Sequence, residues 1–210
     1  MPVLVGETLS LDDVLAVARG AEAAVSPAAR KRMEAAREVV ARKVDSGETV
    51  YGVTTGLGSL ANVRLEPDEV RRLQHDLLRS HAVGVGPPLH EWEVRAMLTL
   101  RAHVLSLGYS GVRPEVVDRL LELLNLEILP VVPGQGSLGA SGDLAPLAHL
   151  CIPLIGEGEV SYRGELVPAR DALAAAGLAP LSLEPKEGLS LINGTQGMVA
   201  VGMMAAGRAR

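Results

Sequence analysis

The sequence predicts a mainly α-helical fold with two long irregular loops and one small β-hairpin. Three observations carry this: apolar residues recur at helical spacing along most of the 210 residues, glycine and proline cluster in two stretches that break that spacing, and one short strand-like segment is split by Arg163-Gly164.

The elements follow in order. Ser10-Leu11-Asp12-Asp13 is a variant of the capping box and opens a first helix. Ser26 followed by Pro27 supplies an N-cap and a first-turn proline; Met33, Ala36, Val39 and Val40 then recur at helical spacing until Gly47. Pro67 opens a third helix with Val70, Leu73 and Leu77 on one face. Val94, Met97, Leu98, Ala102 and Leu105 mark a fourth, and Pro114 starts a fifth that runs to about Asn125. Tyr51 to Asn62 and Pro130 to Gly142 are the two irregular stretches. Glu159 to Tyr162 and Glu165 to Val167 form the hairpin arms. From about Leu191 a helix of small and apolar residues runs to the end without a C-cap. Such a helix needs partners on several sides, and truncation of a longer chain is the favoured explanation.

Composition narrows the function classes. Hydrophobic residues make up 48% and aromatic residues 2%, with no Phe, so the core is expected to be aliphatic and the single Trp92 a packing residue. A net charge of −5 without a long basic run argues against nucleic acid as a partner. The first residues lack the pattern of a signal peptide, and no stretch is expected to be long and apolar enough to span a bilayer, so a soluble cytoplasmic protein is expected. Cys151, the one cysteine, sits among apolar residues and is expected to be a buried, inert thiol. The five histidines show no HxxxH or HExxH spacing, so no metal site is expected, and His149 reads as structural.

Long ordered loops in a helical domain are often functional. Gly134 to Gly139 satisfies GxGxxG, but Pro130 and Pro133 would each remove a donor from the preceding strand, Pro146 would interrupt the helix, and no βαβ alternation surrounds it. Nucleotide binding is therefore not expected. A glycine-rich turn without chemistry is the plain alternative. The more informative reading starts from Ala140-Ser141-Gly142 followed by Asp143. If the chain bends so tightly that the Gly142 nitrogen meets the Ala140 carbonyl carbon, a ring closes with loss of water. Glycine suits this because it has an unhindered nitrogen and tolerates strained backbone. Loss of a second water from Ser141 gives an electron-poor exocyclic methylene.

GSLGASGDLAPLAHL closely resembles the signature of the aromatic amino acid lyases that carry 4-methylideneimidazole-5-one (MIO). YGVTTGLGSL, LQHDLLRSHAVGVGPPL and EGLSLINGTQ resemble further blocks of that family in the same order, so the resemblance spans nearly the whole chain. It implies the N-terminal helical domain of the aspartase/ammonia-lyase-like fold. Residues 1–190 would be the MIO-bearing domain and 191–210 the start of a long helix of a central bundle. It implies MIO formed autocatalytically from Ala140, Ser141 and Gly142, with Asp143 assisting, although a plain helix N-cap is a competing role for Asp143. Tyr51 would be the general base, which requires surroundings that favour its phenolate. Gly56 and Gly58 would shape the tyrosine loop.

His81 and Asn193 would bind substrate; an imidazole and an amide each offer both a donor and an acceptor. The Ser80-His81 pair resembles the histidine-specific members, which implies deamination of L-histidine to trans-urocanate and ammonia by a homotetramer. Whether the electrophile engages the amine or the ring stays open. A tyrosine or phenylalanine ammonia-lyase or aminomutase of the same family, and a catalytically silent assembly fragment, are the alternatives. The chain alone is expected to have little activity.

Overall fold

The computed structural model describes residues 1–58, 61–138 and 142–209. Strand β1 (Val3–Val5) leads into helix α1 (Leu11–Ala18), where Ser10 Oγ accepts the Asp13 amide at 3.1 Å and the Asp13 carboxylate accepts the Ser10 amide at 2.9 Å. Both arms of the expected capping box are formed. β2 (Ala23–Val25) pairs parallel with β1, an element the short apolar start did not announce. Helix α2 (Pro27–Asp45) starts on Ser26, whose hydroxyl accepts the Ala29 amide at 3.0 Å, and Gly47 follows its end at φ 65°. α3 (Pro67–His81), β3 (Val85–Pro88), α4 (Glu91–Ser106) and α5 (Pro114–Asn125) come next.

The described part of the second long loop, Pro130 to Leu138, is less irregular than expected, because it shares β4 (Leu129–Pro130) with the preceding residue and contains β5 (Pro133–Gln135). The prolines stay compatible with pairing because both strands are very short and the prolines sit at their ends. α6 (Leu144–Cys151) continues into a 3-10 turn at Ile152–Ile155. The hairpin is β6 (Glu159–Tyr162) and β7 (Glu165–Pro168), turned by Arg163 at φ 55° and Gly164 at φ 81°. Two successive left-handed residues match the twist of the flanking strands. α7 (Ala169–Ala175), α8 (Glu187–Ile192) and α9 (Gln196–Arg208) complete the chain. The helix expected from Leu191 is thus split at residues 193–195.

α4 is the central helix. It packs on α1, α2, α5 and α9, and its apolar residues meet Leu120, Leu123, Leu124, Leu147 and Leu150 in a core whose buried hydrophobic residues are aliphatic, Met or Cys. Trp92 packs at the rim, stacked on His90 with ring centroids 5.3 Å apart and covered by Arg208 at 4.3 Å. Arg95 on α4 is buried, and its guanidinium donates to carbonyls of Val17, Ala21 and Leu124 near the C-terminal ends of α1 and α5. Cations suit that end of a helix.

One expectation needs correction. Glu187–Arg208 spans 22 residues at a mean hydropathy of 1.2, long and apolar enough by composition to cross a membrane. The three non-helical residues divide it, α8 packs on α3 and α6, and α9 packs on α4. The buried residues of this segment, among them Leu191, Ile192, Ala200 and Met204, pack between helices, while Met198, Val199 and Val201 stay exposed.

Candidate active site

Three chain segments converge beside Gly142 and Asp143. α3, α6 and α8 pack on one another, and β3 pairs antiparallel with β5 through Val85 to Gln135 and Pro88 to Pro133. The segment after His81 therefore lies beside the glycine-rich loop. An antiparallel partner is the opposite of the βαβ arrangement a dinucleotide site requires. Ala140 and Ser141 lie outside the described residues, and so does Gly139; Gly142 and Asp143 do not.

Asp143 is 2% exposed and stands at the N-cap position of α6, yet its side chain does not cap that helix. Its Oδ2 accepts the Met198 amide at 2.7 Å, in the first turn of α9, and its Oδ1 accepts the Ser137 hydroxyl at 2.6 Å. The carboxylate thus caps a different helix, at the positive end of the α9 dipole. Its backbone N–H donates to Gly194 O at 2.6 Å. A cavity of about 260 Å³ opens beside it, lined by Ser137, Pro146, Met198 and Val201 among others.

Gly142 lies at φ 109°, and a Cβ there would fall 2.3 Å from Gly194 O. Only glycine fits, because both the left-handed backbone and the contact exclude a side chain. The Gly194 turn is itself held from below by Arg101, which is 2% exposed. Arg101 Nη1 donates to Gln196 Oε1 at 2.5 Å; Nη2 donates to Asn193 O at 3.1 Å and also to Ser190 O. Burial pushes the Arg101 pKa down to about 10.

Asn193, just after α8, has an exposed side chain. His81 ends α3, with Nδ1 2.9 Å from Leu77 O. The same Nδ1 lies 3.1 Å from the Ser80 hydroxyl, so the ring is held by Leu77 O and Ser80 together and Nε2 is the nitrogen left without a protein partner among the described residues. Tyr51 is 59% exposed at the start of its loop. The loop is built as a knot of short bonds: Thr54 Oγ1 accepts the Val50 amide at 2.9 Å and donates to Glu48 O at 2.6 Å, and Thr55 Oγ1 accepts the Gly52 amide at 3.2 Å. A Cβ on Gly52 would meet Leu189 of α8 at 2.7 Å, so the tyrosine loop rests on the helix that carries Asn193. The structure brings Gly142, Asp143 and the 193–196 turn into direct contact and sets His81 on the adjoining helix end.

The remaining histidines near these elements are backbone acceptors. His149 Nε2 accepts the Gly84 amide at 3.0 Å, His75 Nε2 the Leu183 amide at 3.1 Å, and His103 Nδ1 the Gly6 amide at 3.2 Å. Burial lowers the pKa of all three and keeps them neutral. Cys151 is fully buried with its pKa pushed up to about 12, which suits an inert thiol. Three residues escaped the sequence reading: Ser137, Gln196 and Arg101. Arg101 left a signal, a cation on the apolar stripe formed by Leu98, Ala102 and Leu105.

Residues 9–210 match the aromatic amino acid lyase family. The chain is 53% identical over 207 residues to a histidine ammonia-lyase of Sorangium cellulosum, covering 97% of this chain and 40% of that protein. Among solved structures, a tyrosine aminomutase from Streptomyces globisporus superimposes with a TM-score of 0.92 at 41% identity, covering 100% of this chain and 40% of that one. A histidine ammonia-lyase from Trypanosoma cruzi does so with a TM-score of 0.90 at 38% identity, covering 100% and 41%. The chain spans about 40% of the length of the curated relative it matches.

Proposed function

This chain belongs to the aromatic amino acid lyase family, and from that premise we propose that it is the N-terminal portion of a histidine ammonia-lyase. The full-length protein eliminates ammonia from L-histidine to leave trans-urocanate, and acts as a cytoplasmic homotetramer. The observation that carries this reading is the docking of Gly142 and Asp143 on the Gly194 turn, with Asp143 bonded to both Ser137 and the start of α9. That cradle, which admits no Cβ, suits a backbone-derived group at Ala140-Ser141-Gly142. Residues 1–190 form the MIO-bearing domain, and α9 begins a longer helix of a central bundle.

MIO supplies an electrophilic exocyclic carbon that no unmodified side chain offers. Around it, the chain's own residues bind and move protons. Asp143 orients the peptide that follows the tripeptide. His81 uses Nε2 to exchange a hydrogen bond with a substrate imidazole, its Nδ1 being engaged by Leu77 O and Ser80. Asn193 donates and accepts through its exposed amide. Tyr51 removes the β-proton; a tyrosine has a reference pKa near ~10, so the completed site must favour its phenolate. The 210-residue chain alone has little or no turnover.

The full-length protein, given L-histidine, is expected to show rising absorbance of an imidazolyl-acrylate, with none from L-phenylalanine or L-tyrosine. Its intact mass is expected to fall about 36 Da below the sequence mass, for two lost waters. The likeness to the tyrosine aminomutase favours a second reading, an aromatic lyase or aminomutase. Turnover of tyrosine in preference to histidine would establish it and overturn the first.

A further inference from the structure

Arg101 is an expensive residue for stability. Its guanidinium lies inside α4's apolar packing, its three bonded partners are neutral oxygens, and its Nε finds no acceptor among the described residues. Burying a cation without a carboxylate carries a desolvation penalty that neutral acceptors only partly offset. What it holds is specific. Its acceptors run from Ser190 in the last turn of α8, through Asn193 in the connection, to Gln196 at the start of α9. A Cβ on Gly194 would come within 2.4 Å of Arg101 Nη1 and 2.1 Å of Gln196 Oε1, so the turn lies directly on the guanidinium. From the other side Gly194 O receives the Asp143 amide, and the first turn of α9 donates to the Asp143 carboxylate.

We infer that Arg101 is a positioning residue: it locks the turn 193–196 and, through Gly194 O and the Met198 amide, fixes Gly142 and Asp143 where the reaction needs them. The inference deepens the function proposed above and rests on it for its kinetic consequence, though the mechanical link does not. Arg95 provides the internal comparison. It lies on the same helix, is also buried though less deeply, and is also bonded to carbonyls, but at the ends of α1 and α5.

The test uses the full-length protein carrying this chain, with Arg101→Met, Arg101→Lys, Gln196→Met and Arg95→Met. Arg101→Met is expected to lower kcat about 100-fold with KM within about threefold, since misplacing a reacting group by an ångström has that order of effect. Arg101→Lys is expected to recover part of the loss, and Arg95→Met to lower the melting temperature with kcat unchanged. Should Arg101→Met fail to fold, Gln196→Met removes one acceptor only and is expected to lower kcat severalfold while remaining folded. Hydrogen exchange supplies a readout independent of turnover: the amides of Asp143 and Met198 are expected to exchange faster in Arg101→Met or Gln196→Met and not in Arg95→Met. Wild-type exchange at those two amides would overturn the inference, whether or not the protein proves to be a lyase. So would a loss of kcat that Arg95→Met reproduces. Wild-type protein that turns over no aromatic amino acid but shows the expected exchange pattern would overturn the function and leave the positioning role standing.

Discussion

Asp143→Asn tests the site's electrostatics with almost no change in shape. The carboxylate is 2% exposed and accepts two short bonds, 2.6 Å from Ser137 Oγ and 2.7 Å from the Met198 amide. An asparagine can keep both contacts, turning its carbonyl to Met198 and its NH2 to the serine, so the loss is charge assistance. Bonds to charged groups contribute roughly 1.5–3 kcal/mol against roughly 0.5–1.5 for neutral ones, about 1 kcal/mol per bond. Removing an anion from the α9 N-terminus adds up to about 1 kcal/mol. The expected destabilisation is about 2–3 kcal/mol, or a fall in melting temperature of about 4–12 °C at this chain length. Asp143→Ala leaves the part-buried Met198 N–H and the Ser137 hydroxyl without their acceptor and should cost more than Asp143→Asn, about 3–4 kcal/mol. Thermal denaturation followed by circular dichroism measures both. A melting temperature for Asp143→Asn within one degree of wild type, or Asp143→Ala no worse than Asp143→Asn, would refute the account of a buried anion capping α9.

Other expectations follow from the same geometry. Ser137→Ala removes one of the two bonds to Asp143 and is expected to cost about 1–2 kcal/mol, measured by urea unfolding. His75, His103 and His149 have pKa values lowered in the fold, so their contribution is fully present above the unfolded pKa of about 6.5 and is lost as the pH falls through their folded values. Unfolding free energy should therefore decline from pH 7 towards pH 5, and more gently in His149→Gln; a flat profile would count against buried neutral histidines. Cys151 should resist a thiol reagent at pH 8 in the native protein and react fully once unfolded. In Gly188→Ala the new Cβ would stand 2.3 Å from Gln74 O, where α8 meets α3, and the strain is expected to cost about 1–3 kcal/mol in a melting experiment.

Helix positions were legible because their signals are local. Ser10 with Asp13, Ser26 with Pro27, and the left-handed pair Arg163-Gly164 each act within a few residues of themselves, and each does in the fold what its chemistry allows alone. β1 and β2 were not legible, since three-residue strands are defined by a partner about twenty positions away rather than by their own pattern. Asp143 shows the same limit at the site. Read along the chain it is a cap for α6; in space it caps α9, because the Asp143 amide is tied to Gly194 O and the carboxylate is thereby turned toward Met198.

The helical class, the aliphatic core and the residue types available for chemistry follow from composition and short-range periodicity. Which of those residues meet is a matter of the folded chain: Gly142 lies against Gly194, Ser137 and α9 share one carboxylate, and a cation on the central helix sits beneath them. Such contacts join positions up to 95 residues apart. They depend on how helices pack rather than on any local propensity, so no window along the chain contains them.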